Sequence, residues 1–102
     1  GQWAGARIIS PEHAALMQTP AVRIDDDSGY GLALRTDRAL IPGVTLVGHT
    51  GSAYGLYSSM FFDAEGKYGF VVITNGTRDP NVRTDVNRAL YRHFIGPLNS
   101  RN

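Results

Sequence analysis

The most constraining stretch of this chain is the segment from Leu56 to Thr74. It holds two extended runs, about residues 56–63 and 68–74, the second rich in aromatic and β-branched residues. Ala64-Glu65-Gly66-Lys67 lies between them and is turn chemistry. The pair is expected to form an antiparallel hairpin, closed off by Asn75-Gly76. Alternation places apolar side chains of Met60, Phe61, Phe62, Phe70, Val71, Val72 and Ile73 on both faces, so a sheet built on this hairpin needs cover on both.

The rest of the chain is read around that hairpin. Tyr30, Leu32 and Leu34 alternate with small or polar residues and predict a strand over about 29–35. A further strand is expected over about 45–51, with 36–44 as a connection carrying Pro42-Gly43. Ser10-Pro11-Glu12 is a helix start, and the helix runs over about 11–18 until Pro20 stops it, with Ala14, Leu16 and Met17 as its apolar side. Pro80, with Asp79 as cap, opens a helix over about 80–95. Val82, Val86, Ala89, Leu90 and Phe94 form its apolar stripe, Gly96-Pro97 is its stop, and the tail from Leu98 to Asn102 is expected to fray. The fold class is α+β: an antiparallel sheet flanked by N- and C-terminal helices, with the helices on one face.

With 102 residues the chain is one domain or less, and 42% hydrophobic with 19% charged residues is a folding composition. Ten basic and nine acidic residues argue against nucleic acid as a partner. Apolar runs such as Phe70-Val71-Val72-Ile73 are too short for a transmembrane segment. The absence of cysteine excludes thiol catalysis and thiolate metal sites. The start, Gly1-Gln2-Trp3-Ala4-Gly5, has neither an initiator Met nor the look of a signal peptide, so a processed product, an excised domain or a fragment is expected.

Several residues invite a sharper reading and receive a plainer one. Asp25-Asp26-Asp27-Ser28-Gly29 lacks the spacing of a calcium loop and reads as a polar turn. His13 and His93 read as a surface residue and a helix-end residue, and three scattered histidines lack the spacing of a zinc site. Arg78, Arg83, Arg88 and Arg92, interrupted by Asp79 and Asp85, read as a solvated helix face. Asn75-Gly76-Thr77 matches a glycosylation sequon but sits where a turn is expected, and Trp3 reads as a packing residue.

His49-Thr50-Gly51-Ser52, followed by Ala53-Tyr54-Gly55, is the candidate site. It lies at a predicted strand end, and its small residues leave the backbone approachable, so N–H groups there can meet an incoming carbonyl. The plain alternative is a strand end with ordinary turn residues.

The wider pattern resembles the C-terminal part of the serine β-lactamase-like superfamily. The resemblance rests on Gly48 to Gly55, Ser58-Ser59-Met60-Phe61-Phe62-Asp63 and the run from Gly66 to Asn75. Tyr30-Gly31-Leu32-Ala33-Leu34, the helix before it and the closing helix also fit, in the right order. The superfamily includes class C β-lactamases, D-alanyl-D-alanine peptidases, D-aminopeptidases and esterases. It implies a serine hydrolase working through an acyl-enzyme, with no metal or organic cofactor, in the bacterial periplasm or secreted. It uses Ser-x-x-Lys, Tyr-x-Asn or Ser-x-Asn, and Lys-Thr-Gly or His-x-Gly. His-x-Gly is present here, whereas Ser-x-x-Lys and Tyr-x-Asn are absent: the one lysine, Lys67, follows Ala64 at that spacing, and no tyrosine is followed by Asn two places on.

The resemblance implies that the nucleophile and its base lie in an N-terminal part of the same hydrolase, which would be this chain's partner. It implies that His49 stands in the lysine's place and donates a hydrogen bond or charge. Thr50 would meet the substrate, Gly51 would let it lie along the strand, and Ala53 and Tyr54 would extend the binding segment. The backbone N–H of Ser52 would be one oxyanion-hole donor, worth roughly 3–4 kcal/mol in the transition state. Histidine for lysine departs from the β-lactamase pattern and favours esterase and D-amino-acid peptidase relatives acting on a small-molecule or peptide substrate. The competing reading is a non-catalytic peptide-binding or scaffold module with the same fold. Self-association of the polypeptide is expected from the two-faced sheet.

Overall fold

A computed structural model describes residues 1–99. Two sheets and three helices make up the described fold. A two-stranded ribbon, β1 (Gln2–Trp3) and β2 (Ala6–Arg7), leads into α1 (Pro11–Gln18). The main sheet is antiparallel throughout, with six strands in sequence order: β3 (Val22–Arg23), β4 (Ser28–Tyr30), β5 (Arg35–Asp37), β6 (Leu46–Ala53), β7 (Leu56–Asp63) and β8 (Gly69–Thr74). α2 (Asn81–Leu90) continues into a π-helical turn, Tyr91–Ile95, and then α3 (Gly96–Asn99). The expected α+β class, with an antiparallel sheet flanked by N- and C-terminal helices, is the one observed.

The β7–β8 hairpin forms as the sequence predicts. Phe61 faces Phe70, and Ser59 faces Val72. Gly66 closes the turn at φ 74°, donating its N–H to the Asp63 carbonyl at 2.7 Å. β6 and β7 form a second hairpin whose loop is two residues, Tyr54 and Gly55, at φ 51° and 84°. Positive φ at both positions matches the right-handed twist of the flanking strands. The ribbon β1–β2 uses the same device at Ala4 and Gly5, φ 48° and 82°.

The strand expected over 29–35 is two strands. The backbone reverses through 31–34, where the Gly31 N–H meets the Leu34 carbonyl at 2.8 Å and Ala33 takes φ 63°. Gly31 packs so closely on the end of α1 that a Cβ would overlap the Met17 carbonyl, so the alternation of Tyr30, Leu32 and Leu34 belongs to a turn. β5 begins at the last residue of that expected strand and runs into the segment read as a connection. Its three residues, Arg-Thr-Asp, are too short and polar to show a strand pattern. The polar turn before β4 holds in part: Asp25 accepts from the Ser28 hydroxyl and the Asp27 N–H, while Ser28 and Gly29 already belong to β4. Those hydrogen bonds, the Ser28 hydroxyl first, hold the Asp25 carboxyl below its ordinary range.

The helices lie on opposite faces of the sheet, not on one. α2 covers the face of Phe61 and Ser59, where the Ser59 hydroxyl donates to buried Asn87 Oδ1 at 2.9 Å and Asn87 Nδ2 donates to the Arg83 carbonyl at 2.7 Å. The end of α1 lies against the other face, where the Thr36 hydroxyl reaches the Gln18 carbonyl and Thr36 sits opposite Val47. Ser10 caps α1 through the His13 N–H as predicted, but the helix buries none of its side chains and leaves Leu16 exposed.

The expected apolar stripe on the last helix is only partly used. Val82 and Val86 are half-buried, whereas Ala89, Leu90 and Phe94 are exposed. The turns nearest the sheet present Arg83, Asn87, Arg88 and Tyr91 instead. Gly96-Pro97 does not stop the helix: Gly96 is helical at φ −50°. Pro97 falls in the first turn of α3, where a missing N–H costs little. The frayed tail is not seen at Leu98 and Asn99, which are helical, and its remainder lies outside the described residues. Asp79 serves the start of α2, accepting from the Asn81 N–H at 2.9 Å.

The core gathers where the loop 38–45 meets the sheet and α2: Leu40, Ile41, Leu46 and Phe61, with Val44, Tyr68, Phe70 and Tyr91 against them. Asp37 accepts from the Ala39 and Leu40 N–H groups, and Arg88 donates to the Leu40 and Ala39 carbonyls, so the start of the loop is tied from two directions. Trp3 does not pack: it is 82% exposed, since the two-stranded ribbon offers no core to receive it. Among the described residues, no helix is long and apolar enough to cross a membrane.

Candidate functional site

The candidate segment occupies the second half of β6. Pairing to β7 runs the whole length of the strand, from Leu46 opposite Asp63 to Ala53 opposite Leu56. Pairing to β5 ends at Gly48, opposite Arg35. Residues 49–53 therefore have a strand partner on one side and none on the other among the described residues. An extended peptide is able to pair with such an edge. Gly48 marks the transition: a Cβ there would overlap the Met60 carbonyl, so only glycine fits this close approach of β6 and β7.

Alternation along β6 divides the predicted residues between the two faces. His49, Gly51 and Ala53 share the face opposite α2, while Thr50 and Ser52 share the α2 face. The fold thus does not bring the His49 ring and the Thr50 side group together across one surface; it sets them on either side of one edge. Tyr54 is at the tip of the hairpin, fully exposed.

His49 is exposed, and its ring lies 6.0 Å from that of Tyr30. Its Nδ1 is 2.6 Å from the Thr50 carbonyl oxygen. A carbonyl can only accept, so Nδ1 carries the proton. In the neutral ring Nε2 is then a lone pair, able to accept a proton or a hydrogen bond; Nε2 donates only in the imidazolium. Beside it lies a shallow apolar depression of about 240 Å³, lined by His49, Gly51, Ser58, Met60, Val71 and Ile73 among others. Gly51 keeps this face low, since a Cβ would fall 2.7 Å from Ser58 Oγ.

On the other face, Thr50 lines a cavity of about 230 Å³ with Arg35, Asp37, Arg83, Thr84 and Arg88. Arg83 donates to the Gly51 carbonyl at 2.9 Å and stacks over Tyr57, 5.3 Å from the ring centre. Arg35 pairs with Asp37 at 3.2 Å. The Nε atoms of Arg35 and Arg83 are buried without a hydrogen-bond partner among the described residues. Three guanidinium groups and one carboxylate give this cavity an excess of positive charge and leave donors unused. The reading of the helix arginines as a solvated face is corrected for Arg83 and Arg88, which turn under the sheet because backbone carbonyls of 39, 40 and 51 await donors there. Arg78 and Arg92 remain exposed. The available signal was spacing: Arg83, Asn87 and Arg88 recur at helical intervals on one face.

His13 and His93 are exposed, with His93 edge-on to Phe94 at 4.6 Å. Among the described residues, no group of three or more His, Asp or Glu is placed to hold a metal ion. No family model matches the sequence.

Proposed function

We propose that this chain is the C-terminal part of a serine hydrolase of the β-lactamase-like superfamily, contributing the His-Thr-Gly strand to a site completed by an N-terminal part of the same enzyme. The observation that carries the reading is the half-open strand: β6 is paired on both sides up to Gly48 and on one side from His49 onward. An acyl substrate laid along that edge would meet the backbone of 49–53 directly, and the Ser52 N–H would face its carbonyl oxygen as charge develops.

The serine nucleophile, supplied from outside this chain, would attack that carbonyl and form an acyl-enzyme, and water would release the acid. With its Nδ1 proton held by the Thr50 carbonyl, His49 would present Nε2 to the hydroxyl network of the nucleophile. Thr50 and the arginine-lined cavity behind it would suit a substrate bearing an anionic group near the scissile bond. Such an edge would suit a small ester, amide, D-peptide or β-lactam, and the resemblance implies that the enzyme works in the periplasm or outside the cell.

The test is acylation of the intact enzyme. It is incubated with a chromogenic ester or a labelled β-lactam, and mass spectrometry looks for a serine adduct. An adduct that forms in the parent and fails to form in His49→Ala supports the proposal. Absence of any adduct or turnover from the parent, together with peptide binding at β6, would favour a non-catalytic binding module.

A further inference from the structure

We infer that Asn75 is a site of spontaneous chemical modification, converting through a cyclic imide to aspartate and isoaspartate while the protein stays folded. The inference rests on the turn after β8 and is independent of the hydrolase reading. Asn75 is exposed, and strand pairing ends just before it, at Thr74 opposite Tyr57. The next residue is Gly76, at φ 79°, where even an added Cβ would meet nothing within 4 Å. Neither the Asn75 amide nor the Gly76 N–H has a hydrogen bond among the described residues. A glycine nitrogen without a neighbouring Cβ to crowd it and without a hydrogen bond is free to approach the preceding amide carbon.

The chemistry needs only water. The Gly76 backbone nitrogen gives up its proton to solvent base and attacks Asn75 Cγ. The Cγ–Nδ2 bond breaks and ammonia leaves, so a five-membered imide forms. Water then opens either imide C–N bond. One product is aspartate; the other is isoaspartate, in which the backbone runs through the former side group. The balance is one amide and one water to one carboxylic acid and one ammonia.

The other described asparagines lack this geometry. Asn87 is buried in α2 with both ends of its amide engaged, Asn81 sits in the first turn of the same helix, and Asn99 is helical in α3. The consequence of reaction at Asn75 is local but directed at the site. Thr77 and Arg78 tie this turn to the β6–β7 hairpin, through the Thr77 N–H to the Gly55 carbonyl at 3.4 Å and the Tyr57 hydroxyl to the Arg78 carbonyl at 3.2 Å. Isoaspartate adds one carbon to the backbone ahead of both ties and places a negative charge beside the tip that carries Tyr54.

The 102-residue protein is held at mildly alkaline pH, folded and, in parallel, fully denatured. Trypsin separates Asn75, Asn81 and Asn87 into peptides 68–78, 79–83 and 84–88. Each is read for the mass gain of amide to acid and for isoaspartate by methyltransferase labelling. In the folded protein, Asn75 should convert at least about tenfold faster than Asn87, and folding should slow it less than about tenfold. Isoaspartate should be present in peptide 68–78, and Asn75→Gln should abolish conversion there without changing the circular dichroism spectrum. Protection of Asn75 beyond that limit on folding, or aspartate without isoaspartate, overturns the inference.

Discussion

His49 and Thr50 are neighbours in sequence, and the strand points them to opposite faces. That separation gives each a different testable role. In the proposed hydrolase His49 belongs to the transition-state network, so His49→Ala in the intact enzyme should lower kcat by about 10²–10⁴ with a smaller change in KM. A rise in KM alone would make His49 a substrate contact. Asn87 is a residue of another kind, a buried amide holding the helix to the sheet through Ser59 and the Arg83 carbonyl. Asn87→Ala should cost about 1–3 kcal/mol, because the Ser59 hydroxyl is left buried without its acceptor. Urea denaturation checks it, and the double change Ser59→Ala with Asn87→Leu should recover part of the loss.

At the scale of elements, the hairpin tip decides how well β6 is presented. Gly55 sits at φ 84°, and a Cβ there would come 3.0 Å from the Thr77 carbonyl. Gly55→Ala should lower stability by about 1–2 kcal/mol from backbone strain. Tyr54 holds φ 51° with no burial in return, so Tyr54→Asn, a residue that tolerates this region, should raise the melting temperature slightly. Thermal unfolding of the two variants reads both signs. The acidic turn before β4 has a pH signature. The Asp25 carboxyl is held below its ordinary range by the Ser28 hydroxyl, then by the Asp27 N–H. Its contribution is present above the unfolded pKa and is lost as pH falls through the lower folded value. Amide signals of 25–28 should therefore shift at a pH below the ordinary aspartate range.

Elements also show where sequence patterns mislead. The hairpin of β7 and β8 was legible because runs of eight and six residues, with aromatic groups in β7 and β-branched and aromatic groups in β8, flank a glycine turn. The apparent strand over 29–35 was not, because Gly31 must pack on the end of α1, a contact with residues more than ten positions back in the sequence. The helix stripe was misassigned because the sheet offers α2 the Gly51 carbonyl and Ser59, and the loop 38–45 offers the Ala39 and Leu40 carbonyls, and Arg83, Asn87 and Arg88 answer them better than valine or leucine can.

For the whole molecule, the decisive feature is the uncovered part of the sheet. α1 lies over the β5 end of the face opposite α2, but Leu56, Met60, Val71 and Ile73 on the same face stay 40%, 55%, 63% and 67% exposed. β8 adds an edge with no further strand among the described residues, as the last strand in the order. The isolated protein should self-associate: light scattering should show growth in mass at high micromolar concentration, and a hydrophobic dye should bind. Met60→Lys with Val71→Lys should restore the monomer. A wild-type protein that stays monomeric and dark to the dye contradicts this. The 102 residues alone should not hydrolyse esters, β-lactams or D-peptides above background, since they include no Ser-x-x-Lys; activity surviving purification and lost in His49→Ala would refute that.

What the sequence determined by itself is the local part: the helix at 11–18 with its serine cap, the strands at 56–63 and about 68–74, the glycine turn between them, and the extended segment at about 45–51 carrying His49 to Gly51. Each depends on periodicity, turn residues or caps within a few positions, and local physics is enough to set them. What only the tertiary structure decided is where β5 stops beside β6, which face each helix covers, and that Arg83 and Arg88 turn inward. Those outcomes depend on carbonyls, cavities and close backbone approaches supplied by residues distant in sequence, as between Arg83 and Gly51 or Arg88 and Leu40. No window of sequence displays such partners, because a buried donor is placed by the acceptor it meets after the fold has closed.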